Sequence, residues 1–148
     1  MKKIIRIATS VILSTALFTA TSCKKDNDDK VIPIEQQYLT AKTWQVEEVS
    51  TTQDGATNVT YKRGAQNNED DFSMVRQSFK TNGSITYVDS FGESGTNGRY
   101  QLMKNNQMQL SLGSFSTIVF GVTIRENSFS YKQEIQGGIM QFTFSPIQ

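Results

Sequence analysis

Histidine is absent from all 148 residues, and cysteine occurs once, at Cys23. The first absence removes the side chain that most often moves protons near neutral pH. The second removes any internal disulfide and any thiolate metal cluster. No Gly-x-Ser-x-Gly elbow, phosphate-binding loop or dinucleotide fingerprint occurs. The chain is therefore not expected to be an enzyme, and neither a cofactor nor a metal is expected. Carboxylate-only chemistry, assembled in space rather than in sequence, has no positive support. Only two prolines are present, Pro33 and Pro146, and they bracket the sequence discussed below. There is also no concentrated basic stretch, so nucleic acid is not an expected partner.

What is present begins with a leader. Lys2, Lys3 and Arg6 form a positive start, and Ile7 to Ala20 form an apolar stretch too short and too rich in Thr and Ser to span a bilayer. Ala20-Thr21-Ser22 then runs directly into Cys23, which resembles the lipobox of a bacterial lipoprotein signal peptide. That resemblance implies cleavage after residue 22, acylation (a palmitate-type lipid) on Cys23, and attachment to a membrane. The small-x-small tripeptide also suits ordinary signal peptidase, which would leave a free thiol with no partner. Acylation accounts for both the solitude of the cysteine and its position. Each buried CH₂ of an acyl chain contributes roughly 0.8 kcal/mol, and more than one chain gives a stable anchor.

Lys24-Lys25-Asp26-Asn27-Asp28-Asp29-Lys30 has almost no apolar content and reads as a solvated tether. From Lys24 to Pro33 it extends at most about 35 Å and typically spans roughly 16–19 Å. Lys24 is not the aspartate associated with inner-membrane retention, so an outer-membrane location in the cell envelope is expected. The acidic cluster is similar to the export tag of surface-displayed lipoproteins, and a plain spacer explains its composition equally well. Three of the 15 Lys and Arg residues lie in the leader. The remaining 126 residues carry 12 basic against 14 acidic side chains, enough chain for one core. The expected organisation is a leader at 1–22, the lipidated cysteine and tether at 23–33, and one domain at 34–148.

From Trp44 onward apolar and polar residues alternate. Trp44 and Val46, Ile85 and Tyr87, and Met108, Leu110 and Leu112 each mark one face. So do Ile118, Phe120, Val122 and Ile124, then Phe129 and Tyr131, then Met140, Phe142 and Phe144. Period two with one apolar face is the pattern of antiparallel strands. Asp54-Gly55, Asn82-Gly83, Asn105-Asn106, Glu126-Asn127 and Gly137-Gly138 punctuate the runs, and most suit tight hairpins. Strands are predicted at 43–51, 57–62, 74–81, 84–90, 98–103, 107–112, 116–125, 128–136 and 139–145. The fold class is all-β: an up-and-down antiparallel meander of eight or nine strands. Raw edges favour closure into a β-barrel, with a two-sheet sandwich as the alternative.

A short apolar helical turn (Ile34, Tyr38, Leu39), then Lys42-Thr43-Trp44-Gln45-Val46, then the meander, resembles the lipocalin-like domain of bacterial lipoproteins. Ser78-Phe79-Lys80-Thr81-Asn82-Gly83-Ser84 and Gly98-Arg99-Tyr100 with Asn105-Asn106 are similar to that family's hairpins. The resemblance implies a lipocalin-like barrel with Trp44 plugging its floor. Lys42 stands where lipocalins carry the glycine of Gly-x-Trp.

An eight-stranded barrel is just wide enough to be filled by side chains or to hold one small ligand. Trp44, Phe79, Tyr87, Tyr100, Phe120, Phe129, Tyr131, Phe142 and Phe144 are expected inside, and an ordinary aromatic core explains them. Polar residues whose parity points inward are Glu48, Gln77, Asp89 and Gln133. Buried polar groups need partners, which a ligand or water supplies. A bulge at Glu47-Glu48 would instead turn Glu48 out and Val49 in. The connections Lys62–Ser73 and Ser90–Asn97 read as long and, by parity, as crowning one end. Lipocalins open at the end of their first hairpin, the opposite parity, unless a strand near 57–73 is miscounted. Glu69, Asp70, Asp71, Asp89 and Glu93 cluster there without EF-hand spacing, and Phe91 stands between them.

Two functions remain: an anchored module binding a small apolar or amphipathic ligand or a glycan, with Phe91, Tyr87, Asp89, Gln77 and Gln133 as candidate contacts, or a side-chain-filled interaction module of the envelope. Replacing Cys23 by Ala is expected to move the protein from the membrane to the soluble fraction. Continued sedimentation with membranes would overturn the assignment of Cys23 as the anchor.

Overall fold

A computed structural model describes residues 32–147; the leader, Cys23 and the tether up to Val31 lie outside the described residues. Helix α1 (Ile34–Thr40) precedes nine strands: β1 (Thr43–Gln53), β2 (Ala56–Lys62), β3 (Arg76–Phe79), β4 (Ser84–Val88), β5 (Ser94–Met103), β6 (Gln107–Leu112), β7 (Phe115–Arg125), β8 (Ser128–Ile135) and β9 (Gly138–Pro146). The alternation places each apolar set on the inner face. The turns take the backbone their residues permit: φ is 49° and 80° at Asp54 and Gly55, and 60° and 54° at Asn105 and Asn106.

Every ladder is antiparallel, and β1 pairs with β9 from Trp44 opposite Pro146 to Gln53 opposite Gly138, which closes the barrel. The wall has eight strands, with β2 as an additional one. Strands β2 and β3 lie one after the other along the same edge of β1. Glu48–Gln53 pair with β2, and Thr43–Gln45 pair with β3. Both run antiparallel to β1, so the count that treated them as successive strands of a meander is corrected. The Asp54-Gly55 turn therefore shares an end with the β4–β5, β6–β7 and β8–β9 turns. Helix α1 and the β3–β4, β5–β6 and β7–β8 turns close the other end.

Between β2 and β3, residues 63–75 leave the wall, and side chains stand in for the missing ladder. The Arg63 amide donates to the Glu47 carbonyl at 2.8 Å, and its Nε donates to the Val46 carbonyl at 2.8 Å. Arg63 and Arg76 both donate to the Ser73 carbonyl, the latter at 2.7 Å. The connection expected at Ser90–Asn97 is corrected to a short turn, because β5 starts at Ser94. Gly95 reads as loop in sequence, yet it sits under the Tyr87 ring, where a Cβ would overlap it. Glycine is required there by the packing of its cross-strand neighbour.

Two bulges set which side chains face inward. Glu47 is extra between Val46 opposite Phe144 and Glu48 opposite Thr143. Glu48 consequently turns outward to Lys62, 3.3 Å away, and Val49 is fully buried. The second bulge lies between Phe120 and Thr123, with Gly121 at φ 58°. It corrects the single face expected for β7. Val119, Val122 and Ile124 pack on the core, whereas Ile118 is 53% exposed and Phe120 lies on the outer wall.

The floor is densely apolar. Trp44, Phe79, Phe129 and Phe144 are fully buried, and Trp44 Nε1 donates to the Leu39 carbonyl at 2.9 Å. Trp44 thus plugs the floor by tying the last turn of α1 across it. Lys42, in the place of the lipocalin glycine, has a role of its own. Its Nζ donates to the Glu126 carbonyl and Asn127 Oδ1, both at 2.6 Å, which latches the β7–β8 turn. Truncating Phe129 to Ala should cost about 3–5 kcal/mol by removing a core ring. The same change at Phe120 should cost about 1 kcal/mol or less. Denaturant titration measures both, and equal losses would contradict the inward and outward assignment.

Candidate functional site in the barrel interior

The site is defined by where burial is incomplete along the inner face. Around the α1 end, Trp44, Phe79 and Phe129 are fully buried, and Leu102, Val122 and Ile124 are half-buried. Toward the Asp54-Gly55 end, Thr51, Leu112, Thr117, Gln133 and Met140 share the inner face by register and are only half-buried. Phe115, opposite Leu112 at the rim, is 43% exposed. The first-hairpin end is therefore lined by half-buried inner-face side chains, and at the other end Trp44 and α1 cover the centre of the barrel.

A continuous line of rings joins the two. Tyr100 meets Phe79 at 5.1 Å, Phe79 meets Phe129 at 5.5 Å, and Phe129 stacks on Phe144 at 5.1 Å. Phe144 meets Tyr131 at 5.5 Å, and Tyr131 meets Phe142 at 5.3 Å. Phe72 continues the line at 5.5 Å from Phe142, with Tyr61 beyond it at 5.7 Å. Edge-to-face and offset pairs of this kind each contribute about 0.5–1.5 kcal/mol beyond their burial. Tyr61 and Phe72 were not anticipated from sequence. Tyr61 follows a bulge at Thr60 that breaks the alternation, and Phe72 is an isolated aromatic in an acidic, aperiodic segment.

Among these rings sits Gln77, which is 3% exposed. It lies on β3 opposite Trp44 and Tyr87 and faces inward, as its parity predicts. Its Oε1 is buried and has no hydrogen-bond partner among the described residues. The only other buried side-chain atom so placed among them is Thr60 Oγ1. The Tyr131 hydroxyl stands close enough to Gln77 for the amide to act on its acidity. An unpaired buried acceptor is costly, on the order of 1–3 kcal/mol, unless something donates to it.

The other expected contacts scatter. Gln133 is on the inner face near the rim, two residues along β8 from Tyr131. Tyr87 covers Gly95 and Gly113, and its hydroxyl donates to Asn97 Oδ1 at 3.2 Å. Asp89 is used by its own turn, where Oδ1 accepts from the amides of Phe91 and Glu93, both at 2.9 Å. Phe91 is 90% exposed at the tip of that turn. No group of three or more acidic side chains among the described residues is placed to hold a metal ion. Two open grooves lie elsewhere. One of about 380 Å³ lies on the outer wall by Ile118, Phe120 and Glu134, and another of about 250 Å³ lies at the α1 end by Pro33, Leu102, Met103, Val122 and Ile124. Neither is lined by Gln77 or Tyr131. No protein-family model matches this chain, and no curated protein matches it either.

Burial raises the pKa of three phenols. Tyr131 is shifted furthest, with Gln77 acting in the opposite direction; Arg63 opposes the shift at Tyr61, and Gln36 opposes it at Tyr100. A folded pKa above the unfolded value of 10.0 means that the native state keeps protons the unfolded chain releases. The stability contributed is complete below about pH 10 and falls as the pH rises further. Tyr131 alone supplies a slope of up to about 1.4 kcal/mol per pH unit in that range. Phenolate absorbance should show late-titrating tyrosines, and Tyr131→Phe should flatten the alkaline loss of stability. An unchanged slope would place the loss elsewhere.

Proposed function

We propose that the protein is a lipid-anchored envelope protein, held at the outer membrane through Cys23, whose barrel binds a small, largely apolar ligand bearing a hydrogen-bond donor. The closed barrel is compatible with such a module. The observation that carries the reading is Gln77 Oε1, a buried acceptor without a partner among the described residues, set beside the aromatic core. A hydroxyl or amide donor on the ligand satisfies it, and the surrounding apolar walls take the rest of the molecule. Half-buried inner residues at the first-hairpin end provide the approach.

A second reading, a solid module that presents its surface to an envelope partner, draws on the full burial of Trp44, Phe79, Phe129 and Phe144 and on Phe91 at 90% exposure. The two differ at Gln77. If the residue serves a ligand, Gln77→Leu should stabilise the unliganded protein by up to about 1–3 kcal/mol, because it deletes an unpaired acceptor. The same variant should lose the thermal shift given by donor-bearing apolar compounds in a panel of fatty alcohols, sterols and hydroxylated aromatics. A wild-type protein whose melting temperature responds to none of these would leave the solid-module reading in its place.

A further inference from the structure

One ring in the interior line is supplied by no strand. Phe72 belongs to the connection 63–75, and its ring stands edge-on to Tyr61 at 82° and to Phe142 at 85°. The strand-borne rings beside it, Tyr61 and Phe142, are fixed by ladders on β2 and β9. Phe72 is held by what holds its connection. The Ser73 carbonyl accepts from Arg63 and Arg76, the Thr60 carbonyl accepts from the Glu69 and Asp70 amides at 2.9 and 3.2 Å, and Asn68 bridges to Lys62. Most of the remaining segment, including Gly64–Asn67 and Glu69–Asp71, is exposed. The two buried side-chain atoms without partners, Thr60 Oγ1 and Gln77 Oε1, lie at its two ends, on β2 just before it and on β3 just after it.

We propose that the slot Phe72 fills between Tyr61 and Phe142 is a binding subsite for an aromatic ring carrying a hydrogen-bond donor, and that the segment 63–75 vacates it when the ligand arrives. The inference rests on the reading of the barrel as a binding module and names its ligand class and its entry. A planar ring in the slot reproduces the edge-to-face contacts that Phe72 makes, so the exchange conserves the aromatic packing. Thr60 immediately precedes Tyr61, one wall of the slot, and its buried Oγ1 has no partner among the described residues. A donor on the incoming ring supplies what Phe72 cannot offer to that unpaired acceptor. What the ligand must overcome is the set of attachments of the connection, which lowers the apparent affinity by the fraction of molecules in which the slot is open.

The test uses the purified full chain with 2-naphthol and naphthalene as probes. Calorimetric titration should show 2-naphthol binding more tightly than naphthalene, and Phe72→Ala should bind 2-naphthol about tenfold or more tightly than the wild type. Asn68→Ala, which removes the bridge from the segment to the Lys62 backbone without touching the slot or β1, should shift affinity the same way if Phe72→Ala folds poorly. In the wild type, saturating 2-naphthol should speed hydrogen exchange at the Glu69 and Asp70 amides, because the segment leaves Thr60. Binding with those amides unchanged or better protected would overturn the inference, as would a variant no tighter than the wild type. Binding confined to Phe72→Ala would also overturn it, since that is only the filling of an engineered void. If fatty alcohols bind and 2-naphthol does not, the inference fails and the binding function stands. If no compound binds, both fail.

Discussion

Strand β1 is the element whose backbone must be satisfied on two edges at once. A buried amide or carbonyl without a partner costs about as much as a lost hydrogen bond, so an eleven-residue strand in a wall must find neighbours along its whole length. On one edge β9 runs its full span. On the other, β3 covers the first three residues and β2 the last six, which leaves Val46 and Glu47 between them. Arg63 fills that interval with its own amide and its guanidinium, donating to the Glu47 and Val46 carbonyls. Closure of the barrel, the excursion of residues 63–75 and the position of Phe72 all depend on how this edge is completed.

The same strand runs from the end covered by α1 to the half-buried rim at the first hairpin. Near its start, Trp44 is tied to the Leu39 carbonyl, and the floor behind it is packed with rings. Past the bulge at Glu47, the inner face passes through Val49 to Thr51, and burial declines toward the rim. Gln77 and Tyr131 sit below this half-buried rim. Their polar atoms are the ones the apolar floor could not accommodate without a partner. The charged groups of the connection stay at its outer attachments, where Arg63 and Arg76 meet the carbonyl of Ser73.

Much of this was legible in residue order. The alternation located six of the nine strands, the Asp-Gly and Asn-Asn pairs marked turns between strands, and Ile34 with Leu39 marked the helix. The inward parity of Gln77 and Gln133 was read correctly, and so was the bulge that turns Glu48 out. Three features escaped for identifiable reasons. Gly95 carries no hydrophobic signal, and the early start of its strand shows only in its pairing with Tyr87, whose ring lies over it. Gly121 shifts the phase of β7 by one residue, so Phe120 passed from the inner face to the outer. Tyr61 and Phe72 lack a periodic context, one behind a bulge and the other in an acidic segment.

Local chemistry was enough for the all-β class, the short helix and the hairpins, because side-chain period and turn preference act between residues close in sequence. The strand order and the occupancy of the interior arise from pairings distant along the chain. Whether β2 and β3 form successive strands or one interrupted edge depends on β1, and the inward face of β7 depends on its bulged pairing with β8. The place of Phe72 depends on Tyr61 and Phe142, which meet only once β9 has closed on β1. A period of two makes every face assignment sensitive to a single inserted residue, and only the partner strand determines where that residue goes.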